Sequence, residues 1–406
     1  MPAKSLQFEL ELLNKLVEIN TTVTSDSRRG YVECSELIRL EAQRLGLGTE
    51  ILDGRGVTVD GEPRPNVVVS LDGSSDVEIL LLTHMDVVPA QPSQWQTDPF
   101  KLAVKGTRAY GRGAADCKSN IVAALSAMGE LVKEEPEINL KLIVTVDEEI
   151  GGRAGIGYLF NDVGISGTAA VVLDSAPNYI SIGASGALWG RLLIKGRSGH
   201  SGYPEKADNA IYLATKYIEK LKRYHRIAAR IKSKLRAPPG APYSRVHGRF
   251  SVTMIKAWKK ENIIPGECEI RFDRRLIPEE STEQAQRDLW TFMDELAKAQ
   301  EISIDEFEII NTLNGYYTDA KHPFVRLFAK LAGNVTREKL PIAADLGGND
   351  GGLLAEAGLP VVSYGTIRDD TQYHSKDEFV HLKDIQTVRD VVAALGKSPA
   401  TQFSPK

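Results

Sequence analysis

The chain of 406 residues has only three cysteines, Cys34, Cys117 and Cys268, widely spaced and odd in number. They form no Cys-x-x-Cys pair and no disulfide framework, so a disulfide-stapled secreted scaffold is excluded. Positive charge is equally short. Fifty Lys and Arg face 54 Asp and Glu, for a net charge of -4. There is no basic excess to neutralise a phosphate backbone, and nucleic acid is not an expected partner. No uninterrupted apolar run approaches the roughly 18 residues that span a bilayer, so no membrane partner is expected either. Residues 1–13 carry Lys4, Glu9 and Glu11 among their apolar residues and lack the apolar core of a signal peptide. The cytoplasm is the expected address. With 42% hydrophobic and 26% charged residues the composition is that of a globular protein, which excludes wholesale disorder and collagen-like repeats. The length allows two domains or one large interrupted one.

Helical spacing of apolar residues covers 6–17 and, after a polar segment at 24–30, residues 32–45. Short apolar runs then end abruptly at 66–70, 77–83, 140–146 and 169–173, with a helical pattern at 120–133 between the second and third. Strands alternating with helices predict an α/β fold with a doubly wound, mostly parallel sheet. After about Ile182 the texture changes. Strands are expected at 188–195, 250–255 and 263–272, and helices at 209–221 and 282–299, an order that suggests a separate, smaller α+β unit. Residues 222–246 are basic and end in Pro238, Pro239, Gly240 and Pro242, an expected irregular surface insertion. Alternation returns with a helix at 324–331, a strand at 361–364 and a helix at 384–395. The expected division is therefore 1–182, 183–302 and 303–406, with the outer segments forming one catalytic domain.

The chemistry follows the apolar runs. One ends in His84-Met85-Asp86, another in Asp147-Glu148-Glu149, a third in Asp174, and 361–365 leads through a loop to His374. Asp116 joins them from the turn that begins at Gly111. Ligands of open parallel sheets bind beyond the carboxyl ends of the strands, so these groups are expected on one rim. Each alone has an ordinary reading, a hydrogen-bonded histidine or a solvated acidic turn. Together, two imidazoles and three carboxylates suit zinc, with Co²⁺ or Mn²⁺ as substitutes. Two ions need one bridging carboxylate, and one acid must stay free as the base for an activated water. Asp86, two residues past His84, is spaced to fix its tautomer.

These residues resemble a known family. His84-x-Asp86, Gly111-Arg-Gly-Ala-Ala-Asp116-Cys-Lys118, Asp147-Glu-Glu-Ile-Gly-Gly152, Gly199-His200-Ser201, Asn262-Ile-Ile-Pro265, Asp273-Arg-Arg275-Leu-Ile-Pro278 and His374 follow the order and spacing of the dinuclear zinc deacylases and exopeptidases. That family includes acetylornithine deacetylase, succinyl-diaminopimelate desuccinylase, aminoacylase and glutamate carboxypeptidase. The resemblance implies two Zn²⁺ ions bridged by Asp116, one completed by His84 and Asp174, the other by Glu149 and His374. It implies Glu148 as general base and Asp86 as support for His84. It further implies a cis peptide bond between Asp116 and Cys117. Residues 183–302 would form a lid and dimerisation unit, with a homodimer expected through it. His200 would stabilise the oxyanion of the neighbouring subunit. Arg275, Asn262, Gly347, Gly348 and Asn349 would bind substrate, the arginine gripping a carboxylate.

The implied activity is hydrolysis of the amide bond of an N-acyl amino acid, with a metallo-exopeptidase (dipeptidase or carboxypeptidase) as the alternative. The expected partner is thus a small N-acyl amino acid or short peptide. Asp174 stands where desuccinylases and carboxypeptidases usually carry Glu, and no basic residue is found near Ala184 to Ala187. The first tilts the expectation toward peptide substrates, and the second points away from succinylated ones. The loop reads Gly347-Gly348-Asn349-Asp350-Gly351, where many relatives have a hydroxyl residue beside the glycine pair, and Cys117 brings a thiol beside the expected bridge. A catalytically silent relative would be expected to have lost a ligand position or Glu148, and all are present. A thiol or serine hydrolase built on Cys117 or Ser201 would need a dedicated histidine that the chain uses elsewhere.

Overall fold

The computed structural model describes residues 6–23, 28–257 and 260–403; residues 24–27 of the expected polar segment lie outside them. The larger of two main sheets has nine strands. Its centre runs Asn139–Thr145, Glu78–His84, Ala169–Val172, Val361–Ser363, every neighbouring pair parallel. Antiparallel strands flank this core, Gly48–Asp53 and Pro65–Leu71 on one side, Ile180–Ala184 and Tyr316–Tyr317 on the other. Ile342–Asp345 joins the sheet through a parallel pairing with Ile180–Ala184.

The central strands read as unbroken apolar runs because both faces are covered. Successive side chains point to opposite faces. Ile79 and Leu81 pack into a core with the helices Leu6–Glu18, Lys118–Leu131, Pro323–Thr336 and Leu382–Gly396. Leu80 and Leu82 pack into a second core with Ile156, Leu159 and Leu354 on the other face. Among the described residues no helix is long and apolar enough to cross a membrane.

The second main sheet is antiparallel, ordered Arg249–Lys256, Glu267–Leu276, Gly186–Lys195, Ser303–Leu313. Strand Ser303–Leu313 therefore pairs within this sheet, and does not begin the second catalytic segment as a boundary at 302 implies. Its sequence hides it, since none of its positions is fully buried and three of the exposed ones, Asp305, Glu306 and Glu308, are charged. Along Glu267–Leu276 burial alternates, and the buried positions Cys268, Ile270 and Phe272 meet helices Ala210–Ala228 and Thr282–Ala299. Asn209 and Ser281 cap those helices, accepting from Ile211 N and Gln284 N. The other face of the sheet stays open and carries Arg271, Asp273 and Arg275.

Two further expectations are corrected. The strand expected over 263–272 is two: Ile263–Ile264 pairs with Gly199–His200, and Glu267–Leu276 follows. The basic segment 222–246 is ordered. It finishes the helix Ala210–Ala228 and then pairs Lys232–Arg236 with Arg245–His247 in a two-stranded ribbon. Alternating lysine and arginine on an exposed ribbon leaves few apolar positions by which to read a strand.

Candidate metal centre

Three adjacent parallel strands deliver the chemistry to one rim. His84 closes the middle strand Glu78–His84, Glu148 and Glu149 follow Asn139–Thr145 on one side, and Asp174 follows Ala169–Val172 on the other. Strand Asn139–Thr145 has ended before the glutamates. Asp147 takes a left-handed conformation (φ 63°), a backbone region that Asp tolerates better than most residues, and Glu148–Ile150 forms a short 3₁₀ turn. That turn lets the neighbouring carboxylates do different things. Asp116 precedes the helix Lys118–Leu131, and the Asp116–Cys117 peptide bond is cis.

Two groups of ligand atoms share Asp116. One joins His84, Asp116, Cys117 and Asp174; the other joins Asp116, Glu149 and His374; within each group all the atoms lie within 4.8 Å of one another. The two carboxylate oxygens of Asp116 divide between them. Oδ1 is 3.0 Å from His84 Nε2 and Oδ2 is 3.0 Å from His374 Nε2. His374 Nε2 also lies 3.1 Å from Glu149 Oε1.

Charge in this cluster is unbalanced. Burial, and then the charge of Asp116, pushes the Glu149 carboxyl up to about 7 and that of Asp174 to about 6. Burial also opposes the Asp116 charge, but hydrogen bonds from His374 and His84 outweigh it and hold this carboxyl well below the usual range. Hydrogen bonds to Asp116 and Glu149 raise His374 to about 10. Buried carboxylates crowded around two imidazoles are a donor set that divalent cations neutralise, and the residues present fit such ions.

Neighbouring residues hold this set in place. His84 Nδ1 donates to the Asp86 carbonyl oxygen at 3.0 Å, which leaves Nε2 toward Asp116. The Asp86 carboxylate is farther from Nδ1, at 3.4 Å, and instead accepts the backbone N–H groups of Glu148 (3.2 Å) and Glu149 (3.0 Å). Asp86 thus fixes both the imidazole and the acidic turn, a wider task than its spacing suggested. Glu378 accepts the N–H groups of Ala115 (2.9 Å) and Asp116 (3.1 Å) and pairs with buried Arg112. Lys118, wholly buried, donates to the carbonyls of Leu16 and Ile19, both at 2.8 Å, and ties the first helix to the Asp116 turn.

A cavity of about 740 Å³ opens in front of the ligands. Glu148 lines it, and the Glu148 carboxylate has no hydrogen-bond partner among the described residues; burial raises it well above the usual glutamate range. The far wall is the open face of the small sheet, with Trp189, Arg271 and Arg275. Arg275 Nε donates to Asp273 (3.0 and 3.1 Å), and its guanidinium lies 5.3 Å from the Trp189 ring centroid. Its two terminal nitrogens make no hydrogen bond among the described residues.

Gly347, Gly348 and Asn349 also line the cavity, although the Asn349 side chain is engaged by Tyr316 Oη (3.0 Å) and Ser363 Oγ (3.3 Å). His200 and Asn262 come together elsewhere. Asn262 directly precedes the strand Ile263–Ile264 that pairs with Gly199–His200, Ser201 N donates to Asn262 O at 3.1 Å, and neither residue lines this cavity. Asp345, Asp350, Arg368 and Tyr373 line it without having been singled out from the sequence.

This fold with this donor set is that of metal-dependent hydrolases. Residues 80–398 match the profile of Peptidase family M20/M25/M40, and the chain belongs to that family. A succinyl-diaminopimelate desuccinylase of Thioalkalivibrio sulfidiphilus is 29% identical, over 80% of this chain and 84% of its own. An acetylornithine deacetylase of Myxococcus xanthus is 27% identical over 94% of each. A metallo-carboxypeptidase of the M20 family from Sulfolobus solfataricus superposes with a TM-score of 0.78 over 96% of this chain and 98% of its own; at 18% identity it shares the fold.

Proposed function

We propose that this protein hydrolyses the amide bond of an N-acyl amino acid with two divalent ions, zinc foremost. The observation that carries the reading is the unbonded Glu148 carboxylate facing the cavity beside two ligand groups that share Asp116. His84, Asp116 and Asp174 would hold one ion; Asp116, Glu149 and His374 the other. When bound, such ions polarise the scissile carbonyl and acidify the attacking water. Glu148 takes the proton of that water at a carboxylate oxygen and passes it to the departing amine. Asp86 keeps Glu148 and His84 aimed through its backbone hydrogen bonds. The open guanidinium edge of Arg275, with Asp273 fixing its Nε, accepts the substrate carboxylate from the opposite wall.

The deacylase names of two sequence relatives support this substrate class. A second reading is a metallo-exopeptidase; its dipeptidase form draws support from Asp369 in the cavity wall, which suits a free ammonium group. Primary-amine release should be measured with zinc- and cobalt-loaded protein on N-acetyl, N-succinyl and N-formyl amino acids and on dipeptides. Cleavage of acylated amino acids, with succinylated ones poorest, is expected. Cleavage confined to dipeptides would establish the second reading, and no cleavage with two ions bound would overturn both.

His200 and Asn262 lie outside the cavity of their own chain, and we assign them to the cavity of a second copy, in a homodimer built through the small-sheet unit. Mixing inactive His200→Ala with inactive Glu148→Gln subunits should then restore part of the activity, because one hybrid cavity receives both residues. Mixed dimers that form without recovery would return His200 to a purely structural role.

A further inference from the structure

The residue that follows the shared aspartate is a thiol, and its sulfur faces the same point as the ligands around it. Cys117 Sγ lies 3.2 Å from Asp116 Oδ1 and 3.2 Å from Asp174 Oδ1. The same group includes His84, with all four ligand atoms within 4.8 Å of one another. Cys117 is fully buried, so this sulfur is no accessible nucleophile. A thiol carries one hydrogen and donates weakly, so it can satisfy only one of the two carboxylates at a time. A cation among the three groups satisfies all of them at once. The geometry is close to what this requires. Ligand atoms at tetrahedral angles around zinc, with bonds of about 2.0–2.3 Å, stand roughly 3.3–3.6 Å apart. The present contacts are a few tenths of an ångström shorter, and a small outward movement admits the ion.

We propose that Cys117 is a fourth ligand of the ion held by His84, Asp116 and Asp174, which would leave the open position for water to the ion of Asp116, Glu149 and His374. This rests on the two-ion reading given above. The thiol proton leaves to solvent as the sulfur–metal bond forms, and no oxidant or reductant takes part. The two positions then differ in kind. One offers sulfur, nitrogen and two carboxylates; the other, Asp116, Glu149 and His374, offers only nitrogen and oxygen. Thiolate ligands select soft or borderline ions such as zinc, whereas carboxylate-rich positions also accept manganese. The first position should therefore discriminate for zinc, and the second should be the more permissive.

The test reads the metal environment and not turnover. Zinc-loaded protein examined by X-ray absorption should show a sulfur neighbour at about 2.3 Å on a fraction of the zinc. Cobalt-loaded protein should show a sulfur-to-cobalt charge-transfer band in the near ultraviolet. Cys117→Ser should abolish that band while two ions remain bound, and Cys34→Ser and Cys268→Ser should keep it. The wild-type spectra decide the matter even if the Cys117 variant fails to fold. A sulfur neighbour with only one ion bound would support the ligand and overturn the two-ion reading. Nitrogen and oxygen neighbours alone, at any stoichiometry, would overturn the proposal and leave Cys117 as a hydrogen-bond donor.

Discussion

Glu148→Gln is expected to keep both metal ions and lose about 10²–10⁴-fold in kcat, the usual contribution of a positioned general base. Glutamine preserves the shape of the side chain and its reach into the cavity but cannot accept a proton. The rest of the site has no reason to move. The Glu148 side chain has no hydrogen-bond partner among the described residues, and its backbone N–H stays with Asp86. The loss corresponds to roughly 3–5 kcal/mol of barrier. It should fall on kcat with KM nearly unchanged, since the base acts in the transition state and contributes little to holding substrate. Metal analysis alongside steady-state kinetics checks both halves. Undiminished kcat would move the proton transfer to another group, with Asp350 in the cavity wall a candidate.

Asp116→Ala is expected to abolish activity by a different route. Its two oxygens face His84 and His374 separately, so one truncation removes a ligand from each group. Bound metal should fall from two ions per chain toward one or none after dialysis. Circular dichroism should show the fold retained, because the surrounding core is built by strands and helices that do not depend on this side chain. A stoichiometry that stays at two would mean that some other carboxylate bridges the ions. The two variants divide the problem: one keeps the metals and loses the proton transfer, the other loses the metals.

Much of this was legible in the sequence, for a physical reason. Strands buried on both faces must be apolar along their whole length, so the run 77–83 announces itself, and the first polar residue beyond it marks the rim. His84, the 147–149 turn and Asp174 were found in this way. Which carboxylate bridges was not legible in spacing and came only with the family resemblance. Other features had no local signature at all. Arg112 and Glu378 are 266 residues apart, and nothing near either one shows that they pair beneath the Asp116 turn. Strand Ser303–Leu313 is half exposed with charges on its outer positions, and its pattern is too weak to read. Spacing predicts that the Asp86 side chain holds His84, whereas its backbone carbonyl does so; its hold on Glu148 and Glu149 depends on how two parallel strands end side by side.

The proposed ligands and the base stand on the rim of the large sheet, whereas Arg271 and Arg275 stand on the open face of the small one. Under the proposed function, bond cleavage is thus assigned to one sheet and the grip of Arg275 on the substrate carboxylate to the other. On that reading the open-face positions of Glu267–Leu276 are free to vary the fit to substrate while the ligand rim stays as it is, because the two are carried by separate sheets.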